Sequence, residues 1–244
     1  MRSLKNGGFC CCGLCYNGLN HIDWKRGAAG MERIFRERIE TTEQWEALRP
    51  LIGEQSKLSA NKVIHRLDSY SKEFIARSPF AVLSTADAEG RCDVSPRGDA
   101  PGFVHVIDDA HLFIPDRPGN RRMDSIRNII ANPHIGILFI IPGLEETFRV
   151  NGRACVCRDP ELLERTAAKG RVPLLGIGVE VEEAYMHCAK AFKRSGLWQP
   201  ESWPSEAERP SAARMMAAHV GQKTSVTVAE TERLLQESYT KRLY

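Results

Sequence analysis

Residues 110–142 read AHLFIPDRPGNRRMDSIRNIIANPHIGILFIIP, and this stretch decides the fold. His111–Pro115 is a short apolar-rich segment that predicts a strand. Asp116–Asn120 has the composition of a turn, because Pro presets φ, Gly permits positive φ and Asn can cap a helix. Ile135–Ile141 is a continuous apolar run, long enough for a central strand and too short to span a membrane.

Between the turn and the second strand the pattern is helical. Met123, Ile126 and Ile130 recur at i, i+3 and i+7, which predicts one buried helical face. Pro133 ends this helix, because proline disfavours α geometry in the residue before it. The whole stretch therefore predicts a strand, a basic turn, a short helix and a second strand.

Arg121 and Arg122 are expected at the start of this helix. The free N–H groups of a helix N-terminus attract anions, and each guanidinium presents a planar fork of donors. The pair therefore predicts a phosphate site. The alternative is a solvated basic face, which is the usual role of paired arginines after a turn.

The composition is that of an ordinary water-soluble protein. The chain has 244 residues, of which 42% are hydrophobic and 27% charged, so it can bury a real core. A net charge of +3 is too small to favour nucleic acid as a partner. We therefore expect a cytoplasmic protein that binds neither nucleic acid nor a membrane.

The cysteines are unevenly placed. Four crowd the N-terminus, at Cys10, Cys11, Cys12 and Cys15, and four are scattered, at Cys92, Cys155, Cys157 and Cys188. Scattered cysteines in a chain of this size are typical of a reduced, cytosolic protein. The C-x-x-C motif ending at Cys15 lacks further ligands at zinc spacing, so no metal site is expected. Residues 1–30 are expected to be a disordered extension, and the working start is either Met1 or Met31.

Alternating and apolar segments predict six or seven strands, joined by short turns. They are Phe80–Thr85, Arg91–Ser95, Phe103–Ile107, His111–Pro115, Ile135–Ile141, Thr147–Cys157 and Leu174–Ala184. One helix is predicted to start at Thr41 or Thr42, with Trp45, Leu48 and Leu51 or Ile52 on its buried side. Another is predicted to start at Asp159. The remaining predicted helices cover Asp68–Arg77, His187–Ser195, Ser211–Val220 and Val228–Tyr239. This order favours a closed antiparallel β-barrel, mainly β with flanking helices.

Several segments then match one known pattern in order. They are FAVLST (80–85), the DAEG hairpin (87–90), DVSPRGD (93–99), LFIPD (112–116), and the arginine pair with its NP-ended helix and apolar strand. From about Ser78 to Pro200 the chain resembles the FMN-binding split-barrel family typified by pyridoxamine 5′-phosphate oxidase. The resemblance implies a split β-barrel of six to seven largely antiparallel strands. It divides the chain into residues 1–30, a helical segment 31–77 that packs on the barrel, the barrel at 78–200 and a helical tail at 201–244.

The resemblance also implies a set of FMN-binding residues. It implies Ile114, Pro115 and Asp116 beside the isoalloxazine ring, Ser95, Pro96, Arg97 and Gly98 along the ring and ribityl chain, Arg121 and Arg122 on the phosphate, and Thr147 at the flavin edge.

The helix after the barrel has two readings. Lys190, Lys193 and Arg194 recur at i, i+3 and i+4, which by default is a solvated stripe. The family builds its dimer from two barrels, so the resemblance implies a homodimer in which Lys193 and Arg194 reach a flavin phosphate across the interface. His187 either packs or caps, or acts near the flavin.

The function implied is an FMN-dependent oxidoreductase that transfers hydride through flavin N5 to or from a small molecule. The sequence names no catalytic side chain. The C-terminal QESYTKRLY lacks the basic and aromatic ending with which pyridoxamine phosphate oxidases grip their substrate, so another substrate is expected. Two alternatives stay open on the same fold: a non-catalytic flavin- or haem-binding module, and a deazaflavin (F420) enzyme.

Overall fold

A computed structural model describes residues 34–244 and divides the chain into two compact units. The first unit is described from residue 34 to Gln55, and the second runs from Ser56 to Tyr244. The expectations about the Cys-rich extension, the C-x-x-C motif and the choice between Met1 and Met31 lie outside the described residues. No helix within residues 34–244 combines the length and the apolar character that crossing a bilayer requires.

Helix α1, Thr42–Ile52, belongs to the first unit. The Thr41 hydroxyl accepts a hydrogen bond from the Gln44 N–H at 3.3 Å, and the Gln44 side chain accepts one from the Thr41 N–H, as the capping pattern predicts. The predicted buried side is wrong: Leu51 and Ile52 are 83% and 64% exposed, and no residue of α1 is buried. The described part of this unit offers no second layer to cover that side.

Two helices open the second unit: α2, Lys57–Ala60, and α3, Ser69–Arg77. Asp68 caps α3 by accepting a hydrogen bond from the Ser71 N–H at 2.8 Å. Ile75 is fully buried, and Phe74 packs against the core. The predicted helix and its inward face are confirmed.

Seven strands then form one antiparallel sheet. They are β1 Phe80–Ala86, β2 Cys92–Gly98, β3 His105–Val106, β4 His111–Pro115, β5 His134–Ile140, β6 Thr147–Cys157 and β7 Gly176–His187. The strand order is β2-β1-β5-β6-β7-β4-β3, and every neighbouring pair is antiparallel. The predicted sheet with flanking helices is confirmed.

The predicted split β-barrel fold is confirmed. Within residues 34–244 the sheet does not close completely, because its edge strands β2 and β3 do not pair with each other. β3 has only two residues, and β2 carries Pro96, which has no N–H to donate to a further strand. An ion pair spans part of this split: Arg97 Nη1 on β2 lies 2.8 Å from Asp116 Oδ1, just after β4.

The core is built by alternation of buried and less buried residues along the strands. On β5, Ile135, Ile137 and Phe139 are buried while their neighbours are not, and β1 buries Ala81 and Leu83 in the same way. On β6, the bulge predicted at Gly152 is confirmed by a register shift between Asn151 and Gly152.

Helix α4, Asp124–Ala131, lies between β4 and β5 and begins later than the sequence indicates. The predicted face of Met123, Ile126 and Ile130 is wrong at both ends. Ile126 and Ile129 are buried, whereas Met123 is 37% and Ile130 73% exposed. The reason is local: Met123 has a left-handed backbone (φ 60°) and precedes the helix, so the buried pair has i, i+3 spacing.

The remaining helices are α5 Pro160–Arg165, α6 Lys190–Ser195, α7 Ala212–Gly221 and α8 Val228–Lys241. The predicted helix over His187–Ser195 begins three residues later, because β7 continues to His187, where it pairs with Thr147. Phe192 of α6 stacks on Trp198, with ring centroids 5.7 Å apart. Helices α7 and α8 pack against each other.

Candidate functional site

A cleft of about 850 Å³ opens between β2, the end of β4, the turn after β4 and the segment before β7. Its apolar walls are formed by Val94, Pro96, Phe103, Pro115, Val172, Pro173, Leu174 and Leu175. Its charged lining comprises Arg97, Arg117, Arg121, Arg122 and Arg171 together with Asp93, Asp116 and Asp124. The size suits a small-molecule site, and the two linings suit a ligand with a flat apolar part and an anionic part.

Arg97 lies at the centre of one wall. Its Nη1 donates to Asp116 Oδ1 at 2.8 Å, and both side chains are more than 80% buried. Its Nε is also buried but has no hydrogen-bond partner in the described chain. Buried donors are nearly always satisfied, so this unpaired Nε is an unusual feature of a residue that lines the cleft.

The turn before α4 presents the start of that helix to the cleft. Met123 and Ser125 line the cleft on either side of the helix start, and Ser125 Oγ donates to Asp93 Oδ2 at 3.0 Å, which ties α4 to β2. Met123 occupies the cap position without a side-chain cap bond, so the first N–H groups of α4 lack that acceptor. Arg121 and Met123 both have φ near 60°, an uncommon conformation for residues with a Cβ that is concentrated at functional sites.

The two predicted phosphate ligands differ in their freedom. Arg122 Nε donates to Asp124 Oδ2 at 2.7 Å, and Arg127 bonds the other oxygen at 2.5 Å. The hydrogen bond from Arg122 is the main reason that the pKa of Asp124 lies below its ordinary value. Arg121 makes no ion pair within residues 34–244, so it is the guanidinium of this turn that is free for an anion.

A second network closes one side of the cleft. Asp99 follows β2 and its side chain is only 5% exposed. It accepts hydrogen bonds from Arg117 Nε at 2.5 Å and from the Tyr244 hydroxyl at 2.6 Å. Burial raises the pKa of Asp99, but the bonds from Tyr244, the Ala100 N–H and Arg117 outweigh it and lower the pKa overall.

Tyr244 makes hydrogen bonds with residues from two different segments of the chain. Besides the bond from its phenol to Asp99, its main-chain oxygen accepts a hydrogen bond from Arg171, which precedes β7. Sequence reasoning missed both residues, because 145 positions separate Tyr244 from Asp99 and no local pattern connects them. Arg117 could have been predicted from the sequence, since it lies in the same turn as the predicted site residue Asp116.

Eight predicted site residues meet in the cleft. They are Ser95, Pro96, Arg97, Gly98, Pro115, Asp116, Arg121 and Arg122. Four others lie elsewhere in this chain. Ile114 is buried in the core, and Thr147 is buried at the start of β6. Lys193 and Arg194 are exposed on α6, where Lys193 Nζ pairs with Glu145 at 2.6 Å. The flavin roles of all twelve residues remain predictions.

Metal-ligating side chains are not grouped anywhere in the described part of the chain: no three His, Cys, Asp or Glu residues there could hold one ion. The four cysteines it contains are free thiols.

A family model and several solved structures are similar to part of this chain. The family model described as pyridoxamine 5′-phosphate oxidase matches residues 67–188, half of the chain. No curated protein matches. Among solved structures, HupZ of Group A Streptococcus is 22% identical and covers 48% of this chain and 91% of its own, with a TM-score of 0.40. HutZ, described as a heme storage protein from Vibrio cholerae, is 18% identical, with 50% and 94% covered and a TM-score of 0.37. An FMN-binding protein from Syntrophomonas wolfei is 12% identical, with 48% and 88% covered and a TM-score of 0.37.

Proposed function

The chain belongs to the pyridoxamine 5′-phosphate oxidase family, and from that premise we propose that it is an FMN-dependent oxidoreductase acting on a small molecule. The cleft beside Arg97 and Arg121 is the proposed cofactor site. Bound there, the flavin would supply hydride transfer through its N5 atom, and the protein would supply orientation, charge and exclusion of water.

The observation that carries the proposal is an arginine that has no ion-pair partner within residues 34–244 and lies beside the uncapped start of α4. Arg122, Arg117 and Arg97 each have a carboxylate partner, yet Arg97 Nε has no acceptor and Arg121 has no partner in the described chain. A phosphate at Arg121 would also meet the uncapped start of α4. A mononucleotide phosphate offers the dianion that this arrangement lacks.

The walls suit the remainder of the cofactor. Pro96 and Pro115 face the cleft from β2 and from the end of β4, and Leu174 and Leu175 line the segment before β7. Apolar side chains on both sides would hold a planar ring and keep water from it. Arg97, fixed by Asp116, would direct its buried Nε at the ring or the ribityl chain.

The test is a titration of the cofactor-free protein with FMN and with riboflavin, followed by flavin fluorescence. Arg121→Ala should weaken FMN binding by about 1.5–3 kcal/mol, roughly 10- to 150-fold in Kd, because it removes hydrogen bonds to a charged group. Riboflavin affinity should not change, since riboflavin carries no phosphate. Arg122→Ala should weaken FMN binding less, because Asp124 already neutralises that side chain.

Arg127→Ala is the matched control, because Arg127 is exposed on the same helix and bonded to the same Asp124. Equal FMN affinity in the wild type and in Arg121→Ala would contradict the phosphate site. The cofactor assignment would be contradicted if the protein did not bind FMN, or if it were isolated with the Soret band of a bound haem.

We also propose that the protein acts as a homodimer. Lys193, Arg194 and Thr147 do not line the cleft of their own chain, so any flavin contact they make requires a second copy. Arg194 is the better candidate, because Lys193 is already paired with Glu145.

A further inference from the structure

A basic cluster lies at the opposite end of β7 from the cleft. β7 starts at Gly176, next to the cleft residue Leu175, and ends at His187. Near that end the Tyr185 ring carries two cations: Lys62 Nζ lies 4.7 Å and the Arg149 guanidinium carbon 4.4 Å from its centroid. The His187 ring centroid is 5.1 Å from that of Tyr185.

Strand register assembles one half of the cluster. Arg149 on β6 pairs directly with Tyr185 on β7, and Thr147 pairs with His187. Residues two apart on a strand share a face, so Tyr185 and His187 stand side by side, with Arg149 across the strand gap.

The other half comes from the segment before α3. The main chains of Ile64 and Ala184 exchange hydrogen bonds of 2.9 and 2.7 Å, which fixes this segment along β7. Lys62 then lies over Tyr185, and its Nζ donates to the main-chain oxygen of Met186 at 2.9 Å. The lysine is therefore held in place rather than left to sample solvent.

The charges of the cluster are not balanced. Within residues 34–244, neither Lys62 nor Arg149 lies within ion-pair distance of a carboxylate. Two of the acidic side chains at this end are engaged: Glu183 accepts a hydrogen bond from Asn151 at 2.7 Å, and Glu145 pairs with Lys193. Arg149 Nε is buried with no acceptor in the described chain. Cation–π contact with Tyr185 offsets only part of this repulsion.

The environment of the cluster also changes the pKa of His187. Burial first, and then the charges of Arg149 and Lys62, lower the pKa of its imidazole. The shift favours the neutral form of the imidazole beside the two cations, and a neutral imidazole still offers an N–H donor.

We propose that Lys62, Arg149 and His187 bind a small anionic group, a phosphate or a carboxylate, over the Tyr185 ring. An anion here would accept a hydrogen bond from the orphaned Arg149 Nε, separate the two cations and accept an imidazole N–H. The proposal does not depend on flavin binding in the cleft. The anion can be free in solution or be the phosphate of a mononucleotide, and the two sources are separable by experiment.

The experiment follows the His187 imidazole by NMR in the full-length protein, with its resonance assigned from a His187→Gln spectrum. Inorganic phosphate should shift the His187 resonance in a saturable way at constant pH. Arg149→Met should weaken that response at least tenfold. Arg153→Met, on the same strand but exposed and without a Tyr185 contact, should respond like the wild type.

A parallel series uses FMN and riboflavin. A response to inorganic phosphate supports a free anion. A response to FMN alone, absent with riboflavin and lost in Arg149→Met, supports a mononucleotide phosphate. No saturable response to phosphate or FMN, an equal response to FMN and riboflavin, or a response that survives Arg149→Met would overturn the proposal. If circular dichroism shows that Arg149→Met is misfolded, Lys62→Met takes its place.

Discussion

At the scale of single residues, Arg97 uses one guanidinium nitrogen for a structural ion pair and leaves another without a partner within residues 34–244. Its Nη1 is committed to Asp116, which fixes the guanidinium between β2 and the end of β4, while its Nε has no partner in the described chain. A lysine could form the ion pair but has no second donor at a fixed angle to it. The guanidinium therefore suits a position that joins two strands and also lines the cleft.

Tyr244→Phe tests the network that closes the cleft. The phenol is the first of the hydrogen bonds that lower the pKa of Asp99, so its loss should raise that pKa toward the ordinary value. A carboxyl whose folded-state pKa is depressed stabilises the fold above its unfolded pKa, and this stability is lost as pH falls through the folded pKa. Tyr244→Phe should therefore lower the urea midpoint at pH 7, and the difference from wild type should vanish as Asp99 protonates in acid.

Tyr239→Phe is the control, because Tyr239 is 61% exposed and makes no hydrogen bond to Asp99. Urea unfolding of both variants and the wild type, followed by circular dichroism from pH 7 to pH 3, measures the effect. A Tyr244→Phe deficit that is the same at every pH would show that packing of the ring, and not its bond to Asp99, stabilises the fold.

The residues that sequence could identify are those whose role follows from local composition. Arg121 was predicted because it follows a Pro-Gly-Asn turn and precedes a helix. The sequence could not show that Arg122 is neutralised by Asp124, because either arginine could make that bond. Tyr244 had no signal at all, since its partner Asp99 is close only in the folded chain.

At the scale of secondary-structure elements, two glycines set how closely strands approach. A Cβ at Gly152 would lie 2.0 Å from the Glu180 carbonyl oxygen, and one at Gly176 would lie 2.2 Å from the Phe113 ring. The first contact arises at the β6 bulge and the second where the start of β7 pairs with the end of β4. Both glycines are required by close approach, not by positive φ.

Gly152→Ala and Gly176→Ala should each destabilise the protein by about 1–3 kcal/mol, the cost of overpacking a rigid site. Gly152→Ala should cost more, since a main-chain carbonyl cannot turn away as a ring can. Gly221→Ala is the control: nothing lies within 4 Å of its added Cβ, and it ends helix α7, so stability should hold or rise slightly. Urea denaturation measures all three, and unchanged stability in Gly152→Ala would mean that the bulge can shift.

The elements themselves were largely predictable, because alternation on β1 and β5 and the caps Thr41, Asp68 and Asp159 are local signals. The residues at which the elements begin and end were harder to predict. α4 starts later than predicted because Met123 adopts a left-handed backbone conformation, which a methionine in the sequence does not indicate. The split in the barrel was expected only from the family resemblance, because the number of strands does not state whether the edge strands pair.

At the scale of the whole molecule, the predicted flavin residues other than the core residue Ile114 fall into two groups at different places. One group, which includes Arg121, lines the cleft, and the other, which includes Arg194, lies beyond the far end of β7. A homodimer that brings Arg194 of one copy to the cleft of the other would unite them. Light scattering of the flavin-loaded protein at micromolar concentration should then give about twice the chain mass of 27.4 kDa.

Subunit mixing tests the shared site directly. Arg121→Ala and Arg194→Ala should each weaken FMN binding, but a dimer with one copy of each variant has one site with both changes and one with neither. Random exchange of the two proteins should therefore restore wild-type affinity to roughly a quarter of the sites. Mixing Arg121→Ala with itself is the control and should restore none. A monomeric flavin-loaded protein, or no recovery after verified exchange, would place both arginines' effects within one chain and end the case for a shared site.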